Sequence, residues 1–370
     1  MRYYLIAGEA SGDLHGSGLV RELKAGDAGA DIRAWGGDRM QAAGATLIKH
    51  YRDLAFMGFV EVVKHLGTIF RNISFAKEDI LAFKPDVLVL IDYPGFNLRI
   101  AKWAKEQGIR VVYYISPQAW AWKEGRVKDI RRDVDQMLVI LPFEVPFYDR
   151  WDYKVDYVGH PLVEAIQAEK EKPEPEPIGN GKPLVALLPG SRAQEIRTKL
   201  PIMLTAVRHF PDVQFAVAGA PSQPDSLYTE IIGAAPVQLV TGRTYELLRQ
   251  ARAALVTSGT ATLETGLFGV PQAVCYKGHP VSYWLAKKLI KVKYISLVNL
   301  ILDAPVVPEL IQHELNEERL VSTLADLLPD TAARAKMLNA YSQLWNVLGG
   351  PGASAKAAKL IVDGIPQQAR

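Results

Sequence analysis

Ala253-Ala254-Leu255-Val256-Thr257-Ser258-Gly259-Thr260-Ala261-Thr262-Leu263-Glu264 opens as an apolar run and passes through small residues into a helical pattern. A buried strand that turns directly into a helix leaves several backbone N–H groups without intrahelical partners, with the positive end of the helix dipole beside them. Ser258, Gly259 and Thr260 therefore make a turn suited to phosphate, although Ser and Thr at a helix start also serve as plain caps. Leu263 stands where a capping box would need an acidic side chain, so that arrangement is missing. Glu264 is left to act outward, and a carboxylate one turn inside such a helix can accept hydrogen bonds from a ribose diol.

The same strand-then-helix pattern recurs on both sides of this segment. Tyr3 to Ala7, Val87 to Ile91, Val111 to Ile115 and Gln136 to Leu141 read as strands in the first half. Leu184 to Leu188, Gln214 to Ala218, Val237 to Val240, Ala253 to Thr257 and Gln272 to Tyr276 repeat the pattern in the second. Apolar runs alternating with helices predict parallel sheets covered on both faces. Between the halves, Ala168 to Pro183 is rich in Glu and Pro with no apolar face, which predicts a solvated connector. The expected organisation is α/β, with two doubly wound Rossmann-like domains facing across a cleft: 1–167, a linker at 168–183, 184–350, and a terminal helix at 351–370. That helix either returns to the first domain or exchanges with a second subunit in a homodimer.

Ligands of doubly wound sheets bind outside the carboxyl ends of the strands, so the chemistry should lie just after each apolar run. Gly8-Glu9-Ala10-Ser11-Gly12-Asp13-Leu14-His15-Gly16 follows the first strand but fits neither the dinucleotide fingerprint nor the P-loop. Its glycines permit close approach to a sugar, with Ser11, Gly12 and Asp13 as contacts; the plainer reading is a Gly-permitted turn capped by Ser11. Asp92 ends Val87-Leu88-Val89-Leu90-Ile91, a partly dry position that raises a carboxyl pKa and favours a general base, the alternative being a cap for the turn through Pro94 and Gly95. Pro189-Gly190-Ser191-Arg192 offers a close-approach glycine, a hydroxyl and a planar guanidinium for phosphate oxygens. No cluster has obvious metal-ligand spacing, so neither a metal nor another cofactor is expected.

Composition narrows the partners. The 370-residue chain is 49% hydrophobic and 22% charged with a net charge of +3, which gives no indication of nucleic-acid binding. A single cysteine, Cys275, excludes an intrachain disulfide and suits a reducing compartment. No signal peptide or membrane span is legible, so the expected location is cytoplasmic. Two stretches point to greasy surroundings. Phe56 to Ile73 carries an apolar stripe that reads either as core or as a lipid contact, and Tyr283 to Tyr294 mixes aromatics with Lys287, Lys288, Lys291 and Lys293, suiting an anionic membrane surface or a solvated helix face.

Several stretches, in order over nearly the whole chain, resemble the lipid-A-disaccharide synthase family of GT-B glycosyltransferases. They are Gly8-Glu9-Ala10-Ser11-Gly12-Asp13, Met57-Gly58-Phe59-Val60-Glu61-Val62, Trp120-Ala121-Trp122, Leu188-Pro189-Gly190-Ser191-Arg192, Ser258-Gly259-Thr260 with Glu264, Trp284-Leu285-Ala286-Lys287, and Ser296-Leu297-Val298-Asn299-Leu300. The resemblance implies transfer of a sugar from UDP-2,3-diacylglucosamine to the 6-hydroxyl of 2,3-diacylglucosamine 1-phosphate, with inversion at the anomeric carbon and loss of UDP. It also implies Asp92 as the base, Arg192 near the donor diphosphate, Asn299 as a polar residue beside it, and Glu264 at the ribose. The acyl chains would take the stripe from Phe59 to Ile73, and the enzyme would sit peripherally on the inner face of the inner membrane. Trp122 and Arg126 fall on the acceptor side, with Lys128, Arg131 and Arg132 as further candidates for its phosphate or as a solvated helix face. Tyr93 and Gly95 replace the family's Ala and Asp, Gln118 its Ser, and Val298 its Pro. A UDP-sugar epimerase of the same architecture and a non-catalytic lipid- and nucleotide-binding protein are the rival readings.

Overall fold

The computed structural model describes residues 1–53, 66–279, 283 and 292–365. The chain divides into two compact units, Met1–Glu164 with Pro351–Arg370, and Ala165–Gly350.

In the first unit, strands β1 (Arg2–Ala7), β2 (Asp31–Gly36), β3 (Thr46–His50), β4 (Val87–Ile91), β5 (Val111–Tyr114), β6 (Gln136–Val139) and β7 (Asp156–Tyr157) form one sheet. Their order is β3-β2-β1-β4-β5-β6-β7, and every pairing is parallel. β1 and β4 lie side by side at the centre and are buried along Tyr3 to Ala7 and Val87 to Ile91, which is why they read as unbroken apolar runs. β2 is less legible because Asp31 and Arg33 interrupt its apolar residues.

Helix Ala10–Gly26 follows β1 and carries several interior glycines, each costing about 0.5–1 kcal/mol relative to alanine. Close packing explains two of them. A Cβ at Gly16 would stand 2.7 Å from Met40 Sδ, and one at Gly18 would stand 2.6 Å from Ser354 Oγ. Ser354 belongs to the terminal helix Ala353–Asp363, which packs on Ala10–Gly26. Glu164 accepts from the Gly352 N–H at 3.2 Å and from the Ser354 hydroxyl, while Lys356 Nζ donates to Tyr157 O at 2.6 Å. Within this chain the terminal helix packs on the first unit.

The second unit contains β8 (Leu184–Leu188), β9 (Gln214–Gly219), β10 (Val237–Thr241), β11 (Ala253–Thr257), β12 (Gln272–Tyr276) and β13 (Glu309–Ile311). The order β10-β9-β8-β11-β12-β13 is again parallel throughout and repeats the first unit's crossover. The Glu/Pro-rich stretch is largely exposed, as expected of a solvated connector, and is also tied to the second unit at a few of its carbonyls. Helix Pro161–Lys170 runs through the unit boundary, and Arg249 then donates to Lys172 O and Pro173 O while Gln250 donates to Glu176 O. A proline-rich segment has few N–H groups but keeps its carbonyls, so side-chain donors of the second unit can bind it.

Candidate active site

In an order of this kind the strand direction of travel reverses between the first and fourth strands, leaving a crevice at their carboxyl ends. In the first unit that point lies between Gly8, after β1, and Asp92, after β4. Asp92 and Tyr93 both take left-handed backbone conformations, with φ of 45° and 50°, and Ile115 at the end of neighbouring β5 has φ of 68°. Non-glycine residues rarely adopt this region without support from their surroundings. Support is visible: Tyr113 Oη donates to Asp92 O at 2.6 Å, Asn97 Nδ2 donates to the same carbonyl at 2.8 Å, and Asp92 N donates to Tyr114 O at 3.1 Å. Gly8 allows the turn to form, because a Cβ there would stand 2.3 Å from the Tyr93 ring, which in turn stacks on Phe96 at 5.7 Å.

The carboxylate held this way is half-buried, and its pKa is pushed up from 3.8 to about 7. Loss of solvent is the main cause, the negative charge of Glu9 adds to it, and the Tyr93 backbone N–H works in the opposite direction. Proton uptake near neutral pH is what a general base requires. Glu9, Asn97 and Tyr113 were not among the residues singled out from sequence; the spacing Asp92-Tyr93-Pro94-Gly95-Phe96-Asn97 is the signal that places an amide one helical turn beyond the carboxylate.

Around Asp92 the other expected residues divide. Ser11 is half-buried in the first turn of helix Ala10–Gly26; the N-cap is Glu9, so Ser11 does not cap the helix. Gly12 packs against Ala7, a Cβ there standing 3.1 Å from the Ala7 Cβ. Asp13 is only 3% exposed, and its carboxylate accepts from the Gly37, Met40 and Arg39 N–H groups at 2.7, 3.0 and 3.2 Å. It anchors the helix start at Asp38 and is not available to a sugar, because its oxygens already serve buried backbone donors. His15 and His160 meet edge to face at 6.3 Å, and burial lowers their pKa values to about 4 and about 3, so both are neutral packing groups.

Trp122 is 46% exposed, with Lys123 Nζ 4.5 Å and Arg126 Cζ 5.4 Å from its ring. Arg126 lies within electrostatic reach of the Tyr113 phenol that holds Asp92. Arg131 is bound to Trp151 O and Arg132 to Asp133, so these two cations are engaged locally. Trp120 is turned inward, its indole donating to Glu144, whose buried carboxylate also accepts from Leu141 N and Ile140 N.

The second unit has its corresponding point between Gly190, after β8, and Gly259, after β11. Both residues have conformations that favour glycine, with φ of 117° and 142°. Helix Thr260–Phe268 starts with Gly259 as N-cap and no side chain capping it, so its first N–H groups face outward. Ser258 is a partial exception to the expected site, because its hydroxyl donates to Ile295 O at 2.8 Å. Ser191 and Arg192 are exposed, and Arg192 pairs with Glu195 at 3.6 Å. Glu264 is half-buried and accepts from Tyr245 Oη at 2.7 Å, while burial raises its pKa. Asn299 is 1% exposed and fully engaged: Oδ1 accepts from Val306 N and Val307 N, and Nδ2 donates to Val307 O and Glu309 Oε1. It shapes the chain from Leu297 to Glu309 and does not face a ligand. Trp284, Lys287, Lys288, Lys291 and the stripe from Phe56 to Val63 lie outside the described residues. Among the described residues no group of three or more His, Cys, Asp or Glu could hold a metal ion, and no helix is long and apolar enough to cross a membrane.

A family profile described as Lipid-A-disaccharide synthetase matches residues 3–361. The lipid-A-disaccharide synthase of Trichlorobacter lovleyi is 39% identical over 99% of this chain and 98% of its own. That of Syntrophus aciditrophicus is 41% identical over 96% and 95%. Among solved structures, the UDP-GlcNAc 2-epimerase of Neisseria meningitidis bound to UDP-GlcNAc superposes with a TM-score of 0.71 at 12% identity, covering 98% of this chain and all of that one. The calicheamicin glycosyltransferase CalG4 does so with a TM-score of 0.62 at 18% identity, covering 99% of each chain. At such identities the structural likeness is one of fold, and the fold is the GT-B class with two Rossmann-like units. The match along the sequence goes further: the chain belongs to the lipid-A-disaccharide synthetase family and is a hexosyltransferase of lipid A biosynthesis.

Proposed function

We propose that the enzyme transfers 2,3-diacylglucosamine from its UDP derivative to the 6-hydroxyl of 2,3-diacylglucosamine 1-phosphate, with inversion, giving a β-1,6-linked disaccharide 1-phosphate and UDP. The observation that carries this reading is Asp92, whose backbone carbonyl is clamped by Asn97 and Tyr113 and whose carboxyl pKa is pushed up to about 7 by burial and Glu9. In a single displacement, Asp92 takes the proton of the acceptor hydroxyl as that oxygen bonds to the anomeric carbon. The bond from that carbon to the diphosphate oxygen breaks at the same time, and both electrons leave with UDP. One base is enough, and no sugar is attached to the protein.

The second unit supplies what the donor needs. The open N–H groups at Gly259 and Thr260 and the guanidinium of Arg192 receive the negative charge that grows on the leaving diphosphate. Glu264, oriented by Tyr245, accepts from the ribose diol. In the first unit Trp122 offers a flat apolar face to the acceptor sugar, and Arg126 and Lys123 beside it suit the 1-phosphate. Phe70 and Phe75, 57% and 44% exposed on helix Leu66–Phe83, give apolar surface for acyl chains, whereas Ile73 of the same stripe is buried. Both substrates are membrane lipids, so the enzyme works at an anionic membrane surface on its cytoplasmic side.

Mass spectrometry of products from the two acylated substrates tests the reaction, with the coupling constant of the new anomeric proton reporting the configuration. The expected result is one β-linked disaccharide 1-phosphate and one UDP per turnover. An α-linked product would rule out the single displacement, and an epimerised UDP-sugar with no disaccharide would rule out the transfer.

A further inference from the structure

Lys199 lies on helix Ala193–Leu204, which follows β8, and only 3% of its surface is exposed. Among the described residues no hydrogen bond or ion pair within bonding distance reaches its ammonium. A buried charge without a bonded partner is costly, which makes it a candidate for completion by a ligand. Where the ammonium sits follows from helix geometry. Glu195 precedes Lys199 by four residues, so the two share one face, Arg192 is the N-cap just before that helix, and helical side chains lean toward the N-terminus. Lys199 therefore reaches back toward the first turn. There Glu195 Oε2 overhangs Gly190, standing 2.3 Å from where a Cβ of Gly190 would be.

Charges that act on Lys199 agree with this placement: Glu195, Cys275 and Arg192 all do so, and burial is the main cause of its lowered pKa. The Cys275 thiol is itself pushed up to about 12 and remains neutral, so the only anion acting on Lys199 is Glu195, which is already paired with Arg192. A second orphan lies on the same side of the sheet. Thr257 is 5% exposed, its Oγ1 finds no partner among the described residues, and it is in register with Cys275, so the two side chains project from one face. Thr257 is also the last residue of β11, immediately before Ser258 and the uncapped helix start.

We propose that Lys199 and the Thr257 hydroxyl are the inner contacts of the donor diphosphate, lying behind the exposed Arg192. This inference rests on the nucleotide-sugar reading above and adds to it a buried cation and a hydroxyl. Arg192, exposed and paired with Glu195, gathers the phosphate; Lys199, with only 3% of its surface exposed, contributes a stronger charge-assisted bond once the diphosphate is in place. The same cation would stabilise the diphosphate as it departs.

Calorimetric titration of the full chain with UDP and with UMP tests the assignment, comparing the wild type with Lys199→Met and Thr257→Val. For Lys199→Met, UDP affinity should fall about 10- to 100-fold while UMP affinity changes much less, and the unliganded melting temperature should stay level or rise because an unpaired buried charge has gone. Thr257→Val keeps the volume and should fold at least as well, weakening UDP about threefold or more. Wild-type UDP affinity in both variants would overturn the proposal. So would equal losses for UDP and UMP together with a lowered melting temperature, the mark of a structural lysine. If the wild type itself did not bind UDP, the nucleotide reading would fall first and this one with it.

Discussion

β1 and β4 in the first unit and β8 and β11 in the second meet at the same point of the same strand order, yet the turns that follow them have opposite electrostatics. After β1 and β4 stand Glu9 and Asp92, two carboxyls close enough for one to raise the pKa of the other. After β8 and β11 stand Arg192, the buried Lys199 and an uncapped helix start. Backbone conformation divides in the same way. The first unit forces Asp92 and Tyr93 into the left-handed region and holds them with Asn97 and Tyr113, whereas the second puts glycine at its unusual positions, Gly190 and Gly259. On the reading proposed above, a side chain is needed where a proton moves and bare backbone where phosphate approaches, so one supersecondary plan would supply both an acid–base site and an anion site, the choice resting with the few residues after each strand.

Breaking the carboxylate half of this contrast should have the largest effect. Asp92→Asn keeps the shape and the backbone clamp but removes the base, and kcat should fall about 10²- to 10⁴-fold with UDP affinity nearly unchanged. Turnover near the wild-type rate would remove Asp92 from the mechanism. Breaking the cationic half should cost less in rate and more in binding. Arg192→Ala is expected to lower kcat/KM about 10- to 100-fold, with the loss shared between donor affinity and turnover; a change confined to the acceptor KM would contradict its place at the diphosphate. Smaller again is Tyr245→Phe, which removes the hydroxyl that orients Glu264. UDP should bind about threefold to tenfold more weakly, with UDP and 2′-deoxy-UDP becoming harder to tell apart by calorimetry. Unaltered discrimination between the two would detach Glu264 from the ribose.

The same contrast explains what could be read from the chain before its fold was known. Strands such as Val87-Leu88-Val89-Leu90-Ile91 are buried on both faces and so announce themselves as apolar runs, and the residues after them follow by position. The positions of Asp92, Gly190 and Gly259 just after their strands were legible for that reason. Asp13 and Asn299 were misjudged because a polar residue in a motif looks the same whether it faces a ligand or satisfies buried backbone. Only the Gly37, Arg39 and Met40 donors around the one, and the Val306 and Val307 donors around the other, show that both hold the chain in place. Lys199 was hidden in the opposite sense. A lysine in the middle of a helix reads as solvated, and nothing in Arg197-Thr198-Lys199-Leu200 tells that its face packs on the sheet beside Cys275.

The finest test separates the two carboxyls of the first unit. Burial and the charge of Glu9 both raise the Asp92 pKa, so the ionised, active form should appear only as pH rises through about 7, and kcat/KM should fall on the acid side of that value. Glu9→Gln removes the charge and leaves the burial, so the acid limb should move to lower pH while the plateau rate is largely kept. A raised pKa also means that folding favours the protonated carboxyl: this contribution to stability is present below 3.8, the ordinary value, and is lost as pH climbs through about 7. Asp92→Asn should therefore melt above the wild type at about pH 8 and together with it at about pH 4, and Glu9→Gln should lie between them at the higher pH. If the Glu9→Gln profile kept the wild-type limb while the melting order held, the limb would belong to another group. Asp92 would then remain a buried carboxyl whose proton the reaction does not use.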